Sequence, residues 1–218
     1  MNRLISTLTI LIVVLVVIIP FDTVCAGNNT VTTHLVQVDS EDPDTNVVYT
    51  PTLGASITLT RSDTDLKVTA HTGNLKPGVY TNWWLIFNNP DECEFPVAGR
   101  GDMCGLFDWV FDTPGVDATL IRATGKVVGS NGDGDFAASI KVGDLSADVH
   151  SGPGLLNPRG SEIHYFFRWH GEIQPGILDL QISRLNGGCS NDILILGIEA
   201  QPGDALCFEP QFVVAPAP

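Results

Sequence analysis

Positive charge is scarce in this sequence. Eleven Lys and Arg stand against 25 Asp and Glu over 218 residues, a formal net charge of −14 at pH 7. Binding a phosphate backbone needs clustered Lys and Arg, and docking on an anionic membrane surface needs the same, so this balance excludes both as partners. Helical periodicity is missing too, since no window of about a dozen residues carries a convincing 3.6-residue apolar repeat. No Gly-x-Ser-x-Gly, His-Glu-x-x-His or Walker loop is present, which removes the commonest hydrolase and nucleotide signatures. What is abundant is apolar residue, at 44%, enough to argue against disorder and for one buried core.

Residues Met1–Ala26 read as an export signal. Arg3 lies in a short polar start, an apolar run extends from Ile10 to Ile19, and Pro20 breaks it. Val24 and Ala26 supply small residues at the −3 and −1 positions of a cleavage site, so cleavage is expected after Ala26. The alternative is a retained anchor, but the apolar run is shorter than the ~20 residues a membrane span needs. Lipidation at Cys25 would call for a small residue before it and usually Leu three before, where Val24 and Asp22 stand. The remaining residues 27–218 read as a single secreted or periplasmic domain.

Without Cys25, four cysteines remain: Cys93, Cys104, Cys189 and Cys207. An even count in an exported chain reads as two disulfides. Three pairings are open, and the local one, Cys93–Cys104 with Cys189–Cys207, is expected. Closing loops of this size is worth ~3 kcal/mol each in the chain-entropy model. Metal binding through thiolates is the rival reading, but no Cys-x-x-Cys pair is present.

The chain then reads as short strands separated by turns. Strands are expected at Thr30–Val38, Ala55–Arg61, Leu66–Thr72, Val79–Phe87, Ala118–Thr124 with Lys126–Val128, Phe136–Val142, Glu162–His170, Leu178–Ser183, Ile193–Ile198 and Phe208–Val214. Ser62–Asp65 reads as a hairpin turn, and Gly129–Asp135 as the turn of a second hairpin. Asn88–Gly115 reads as a long loop held by its own disulfide, with a short strand near Trp109–Phe111. This pattern predicts an all-β chain, an antiparallel sandwich or Greek-key barrel.

The strand Glu162–His170 places Glu162, His164, Phe166, Arg168 and His170 on one face and Ile163, Tyr165, Phe167 and Trp169 on the other, the core face. At ~3.3 Å per residue, His164 and His170 lie too far apart to share a metal ion. Glu162 and His164 can share one, and His71 would add a third ligand if its strand adjoined. Zn²⁺ or Cu²⁺ would accept that set, and no other cofactor is implied. The plainer reading is a solvated face of cross-strand pairs. Trp83 and Trp84 point to opposite faces, so an exposed Trp84 could stack on a sugar, with Arg168 and His170 as further ligand contacts. Alternatively, the core covers one Trp and the Asn88–Gly115 loop the other. Asp39, Glu41, Asp42 and Asp44 crowd one turn. Asn131, Asp133 and Asp135 have the spacing of a Ca²⁺ loop start, but Phe136 stands where Gly is needed and Val142 where Glu is. A polar turn is the better reading there. Asn28-Asn29-Thr30 is a glycosylation sequon, relevant only in a eukaryotic host.

Trp83-Trp84-Leu85-Ile86-Phe87-Asn88-Asn89-Pro90, together with Gly152–Gly171, resembles a family of exported bacterial proteins of unassigned function, over roughly Gly54 to Phe208. The resemblance implies a β-sandwich and brings no catalytic residues. Val68–Pro77, a strand running into Gly-x-Leu-x-Pro-Gly, is similar to the secreted chordin-type domain. That domain continues into a His-x-His strand, whereas Trp83–Phe87 here holds no His.

Three functional expectations follow. The first is a non-enzymatic binding or structural module whose extracellular ligand or protein partner meets the Asn88–Gly115 loop, Trp84 and the polar face of Glu162–His170. The second is a metalloprotein using His71, Glu162 and His164. The third is a carbohydrate-binding or carbohydrate-active protein with a Trp platform.

Overall fold

The computed structural model describes residues 30–39, 48–96, 103–145, 149–189 and 207–217. The export-signal segment, Asn28 and Asn29 of the sequon, Glu41, Asp42 and Asp44, and the expected strand Ile193–Ile198 lie outside the described residues.

Alternation of apolar and polar residues makes strands wherever it persists for several residues between turn formers. The strands are β1 (Thr30–Asp39), β2 (Val48–Arg61), β3 (Asp65–Thr72), β4 (Gly78–Phe87), β5 (Ala118–Val128), β6 (Gly134–Lys141), β7 (Val149–Ser151), β8 (Glu162–Trp169) and β9 (Phe208–Ala215). They pair antiparallel in the order β6-β3-β2-β1-β9-β8-β4-β5-β7. One core cluster joins Ile57, Leu59, Val68 and Phe136 from the first four strands of that order to Trp84, Ile86, Ile121, Ile163 and Tyr165 from the rest. The sheet therefore folds over into two layers with this core between them, the disulfide-stapled, all-β sandwich that the turn spacing predicts.

Local chemistry sets the turns. Ser62 Oγ accepts from the backbone N–H of Thr64 and Asp65, at 3.1 and 2.9 Å, which closes the β2–β3 hairpin. The expected hairpin between β5 and β6 does not form. β5 pairs with β4 and β7, while β6 crosses to the other layer and pairs with β3 from Asp65↔Lys141 to Thr72↔Gly134. The Gly-rich turn between them serves a crossover just as well as a hairpin. Two expected strands are short helices instead: Trp109–Phe111 falls at α1 (Leu106–Val110), and Leu178–Ser183 at α2 (Leu178–Gln181). At five and four residues, both are too short for a 3.6-residue period to show.

The two layers differ on their outer faces. In β3 burial alternates strictly after Asp65, with Lys67, Thr69 and His71 exposed between buried neighbours. In β4 every residue is buried, and in β8 every residue from Glu162 to Arg168. A second apolar cluster explains this. It packs Trp83, Leu85, Phe87, Leu120, Phe166 and Phe212 under Cys104, Val116 and Leu185, with Leu106 and Trp109 at its margin. Among the described residues, 88–96 with 103–117 and 171–189 supply that cover. The 171–189 segment lies hard against β5, because a Cβ on Gly125 would sit 2.1 Å from the carbonyl oxygen of Ile182.

Arg61 ties the layers together at one end. Its guanidinium is buried and donates to the carbonyl oxygens of Pro158 and Ser161, at 2.8 and 2.7 Å, and of Ala215 and Pro216, at 3.2 and 3.1 Å. Burial pulls its pKa down to about 10, with the nearby Glu162 charge opposing that shift. It stays charged at neutral pH.

Candidate functional site

The structure places the residues of the metal expectation on two different surfaces. Glu162 and His164 lie two apart on β8, with His164 Nε2 2.7 Å from Glu162 Oε1. His71 stands on the exposed outer face of β3, and its Nδ1 lies 2.7 Å from Asp135 Oδ1 on the neighbouring β6. Three strands, β2, β1 and β9, separate β3 from β8 in the sheet. His71 is therefore not brought to Glu162 and His164, which remain a two-member pair. Asp135, also a member of the Ca²⁺-like spacing, is taken up by His71. Asn131 and Asp133 bond within their own turn, with Asp133 N donating to Asn131 Oδ1 at 3.4 Å.

Nor does the polar face of β8 reach solvent. Glu162, His164, Arg168 and His170 are all buried. Arg168 Nε donates to the Leu185 carbonyl oxygen at 2.6 Å and so holds the 171–189 segment. His170 is held from both sides. Trp83 Nε1 can only donate, so Thr81 Oγ1 accepts from it at 2.8 Å and gives its own proton to His170 Nε2 at 2.6 Å. Nδ1 then carries the imidazole hydrogen toward the Gly187 carbonyl oxygen at 2.9 Å. Burial, reinforced by the Arg168 charge, lowers the His170 pKa to about 4 against the raising effect of the Gly187 hydrogen bond. The ring is neutral at pH 7, as this chain of donors requires.

Trp84 is 1% exposed and belongs to the core between the layers, and Trp83 is 1% exposed beneath the cover. The expected ligand contacts Trp84, Arg168 and His170 are thus all internal, and no Trp platform for a sugar stands at those positions.

Both expected disulfides are present, Cys93–Cys104 and Cys189–Cys207. Among the described residues, two groups of potential metal-binding residues involve them: His170 with Cys189 and Cys207, and Asp108 with Cys93 and Cys104. A sulfur bonded to its partner is no thiolate, so neither group offers a thiolate ligand set in this form. The bonds themselves fit an oxidising compartment. Among the described residues no helix is long and apolar enough to cross a membrane.

The exposed chemistry lies instead on the cover, within the loop singled out from the sequence. α1 turns Leu106 and Trp109 inward and Phe107 and Val110 outward, with Phe111 following at its end. Residues 107, 110 and 111 have the i, i+3, i+4 spacing of one helix face. Phe107 and Phe111 are 56% and 60% exposed and stack with ring centres 5.4 Å apart and planes 10° apart. Phe95, 37% exposed, meets Phe111 edge to face at 5.4 Å. Together these four side chains form an aromatic knuckle on the surface.

Its support is rigid. Asp108 is fully buried, and its carboxylate accepts from the backbone N–H of Glu94, Phe95 and Gly105, at 2.8, 3.2 and 3.0 Å. One side chain thus caps α1 and fixes the strand-like segment bearing Phe95. The Cys93–Cys104 bond joins the same two segments, with Cα atoms 5.4 Å apart. Gly105 must be glycine, because a Cβ there would stand 2.0 Å from the Phe95 carbonyl oxygen. Trp109 Nε1 donates to Ser151 Oγ at 2.6 Å and pins α1 onto β7. The sequence does hold a signal for this surface, Phe-x-x-Val-Phe beside a Cys-stapled loop, but one helical turn is too brief to register as a period. No family model, no curated protein and no solved structure matches the chain.

Proposed function

We propose that this chain is an exported, non-enzymatic binding module, secreted or periplasmic, that takes its partner on the Phe95–Phe107–Val110–Phe111 knuckle. The observation that carries the reading is the exposure of three Phe rings, Phe95 and Phe107 each packed on Phe111, on a support fixed by a disulfide and a buried carboxylate. Grouped apolar surface of this kind is uncommon on a free domain and marks contact sites. Among the described residues, the other exposed large apolar side chains, such as Leu53, Val142 and Leu156, are aliphatic and come from separate strands and loops. Rigid aromatic side chains lose little conformational freedom on binding, and a fixed backbone loses still less.

The test is a panel of immobilised peptides and glycans, probed with the processed, oxidised protein and with a Phe107→Ser/Phe111→Ser variant. Both rings are more than half exposed, so the variant keeps the fold. Binders that the wild type retains and the variant loses support the reading. If every binder is held equally by both proteins, or none is found, the knuckle is not the contact surface.

A further inference from the structure

The electrostatics around the knuckle narrow the partner, if the binding-module reading holds. Residues 88–117 contain seven Asp and Glu and one basic residue, Arg100. One of the seven, Asp108, is spent inside the support. Asp91, Glu92, Glu94, Asp112 and Asp117 are exposed on the same loop as the rings. The stretch Asn88–Glu92 also lines an open cleft of ≈ 740 Å³ with Gly115, Asn157 and Gly160. Its two carboxylates, Asp91 and Glu92, stand only a few residues along the chain from Phe95 and on the other side of Cys93.

We infer that the knuckle and its acidic rim bind a polypeptide segment in which apolar side chains alternate with Arg or Lys. The apolar side chains rest on Phe95, Phe107 and Phe111. The cations lie over ring faces, whose quadrupole attracts positive charge, or reach Glu94, Asp112 and the carboxylates of the cleft. The same field acts against the other occupants of an apolar patch. A second copy of this chain brings another −14 charge to the contact, and an anionic lipid surface meets the same repulsion. A neutral sugar would find rings to stack on but would draw nothing from the rim's net charge.

Two synthetic peptides of equal length and identical Leu and Phe content test this. One carries Arg and Lys between the apolar residues, the other Glu. Each is titrated calorimetrically into the processed, disulfide-intact protein at low and at physiological salt. The basic peptide is expected to bind about tenfold tighter or better than the acidic one, and to weaken several-fold as salt screens the rim. Phe107→Ser/Phe111→Ser should abolish its binding. A Glu92→Gln/Glu94→Gln/Asp112→Asn variant should keep residual binding and lose the salt dependence. Equal affinity for both peptides, or binding indifferent to salt, overturns the inference. If panel ligands need the rings yet are neutral peptides or glycans, the contact surface stands and the cationic partner falls. If neither experiment finds a ligand that needs the rings, both fall.

Discussion

Two histidine–carboxylate pairs in this molecule share one distance and differ in everything around them. His71–Asp135 and His164–Glu162 each span 2.7 Å. The first pair has side chains 54% and 86% exposed on the bare face of β3 and β6, and the second 11% and 4% under the cover of β8. Water and salt screen the first, so its members contribute little beyond local order. The second is buried, so its own hydrogen bond and the Arg61 charge near Glu162 have to replace lost hydration, and its members depend on one another. Identical contacts therefore carry unequal weight. The difference lies in residues 88–96, 103–117 and 171–189, which close over one face of the sandwich and leave the other open.

The contrast is sharpest for long cationic side chains. Arg168→Met, under the cover, is expected to cost about 3–5 kcal/mol, by freeing the Leu185 carbonyl and loosening the 171–189 segment. Lys67→Met, on the open face with its side chain 65% exposed, should stay within about 0.5 kcal/mol. Urea denaturation of both variants decides the matter, and comparable losses would mean that the cover does not seal β8.

Next in size is a pH effect. The folded-state pKa of His170 is about 4 against 6.5 for the free side chain, so the unfolded chain binds more protons between those values. Stability is fully present above about pH 6.5 and falls toward pH 4, by up to about 3 kcal/mol from this group. A His170→Gln variant should lose that part of the slope. An unchanged slope would show that His170 is not buried neutral.

Double-mutant cycles on the two pairs come next. Coupling between Glu162 and His164 is expected at about 2 kcal/mol, against less than about 0.5 kcal/mol for His71 and Asp135. The smallest expected effect is on the knuckle itself. Phe107→Ser/Phe111→Ser should shift stability by under about 1 kcal/mol while removing ligand binding, since the rings are more than half exposed already. A large loss of stability would make these rings part of the core.

Much of the fold is legible in the sequence because alternation is a local property. The strands β1, β3, β4, β5, β8 and β9 fall within about a residue or two of where apolar and polar residues alternate, and the two disulfides join the nearer cysteines. Partner choice is less legible. The turn before β6 gives no sign that the strand will cross to β3, because the same glycines suit either course. The polar face of Glu162–His170 reads as solvated, since alternation tells which side chains share a face and not what lies over that face. Covering it takes segments that leave from the ends of β4 and β8, and only the three-dimensional path reveals where they settle. For the same reason Trp84, Arg168 and His170 look like contact residues from sequence and prove internal. Arg61 shows the converse. It reads as the last residue of a hairpin strand, yet its four carbonyl partners come from residues 158, 161, 215 and 216.

The knuckle can serve as a contact surface only if the cover is a built, fixed surface that holds it in place. Amide hydrogen exchange of the free, oxidised protein tests this at Glu94, Phe95 and Gly105, whose N–H groups are held by Asp108. Protection of about 100-fold or more over an open chain is expected at all three, falling together in an Asp108→Ala variant. Exchange at open-chain rates in the wild type would contradict the account, and the aromatic rings would then have no fixed platform.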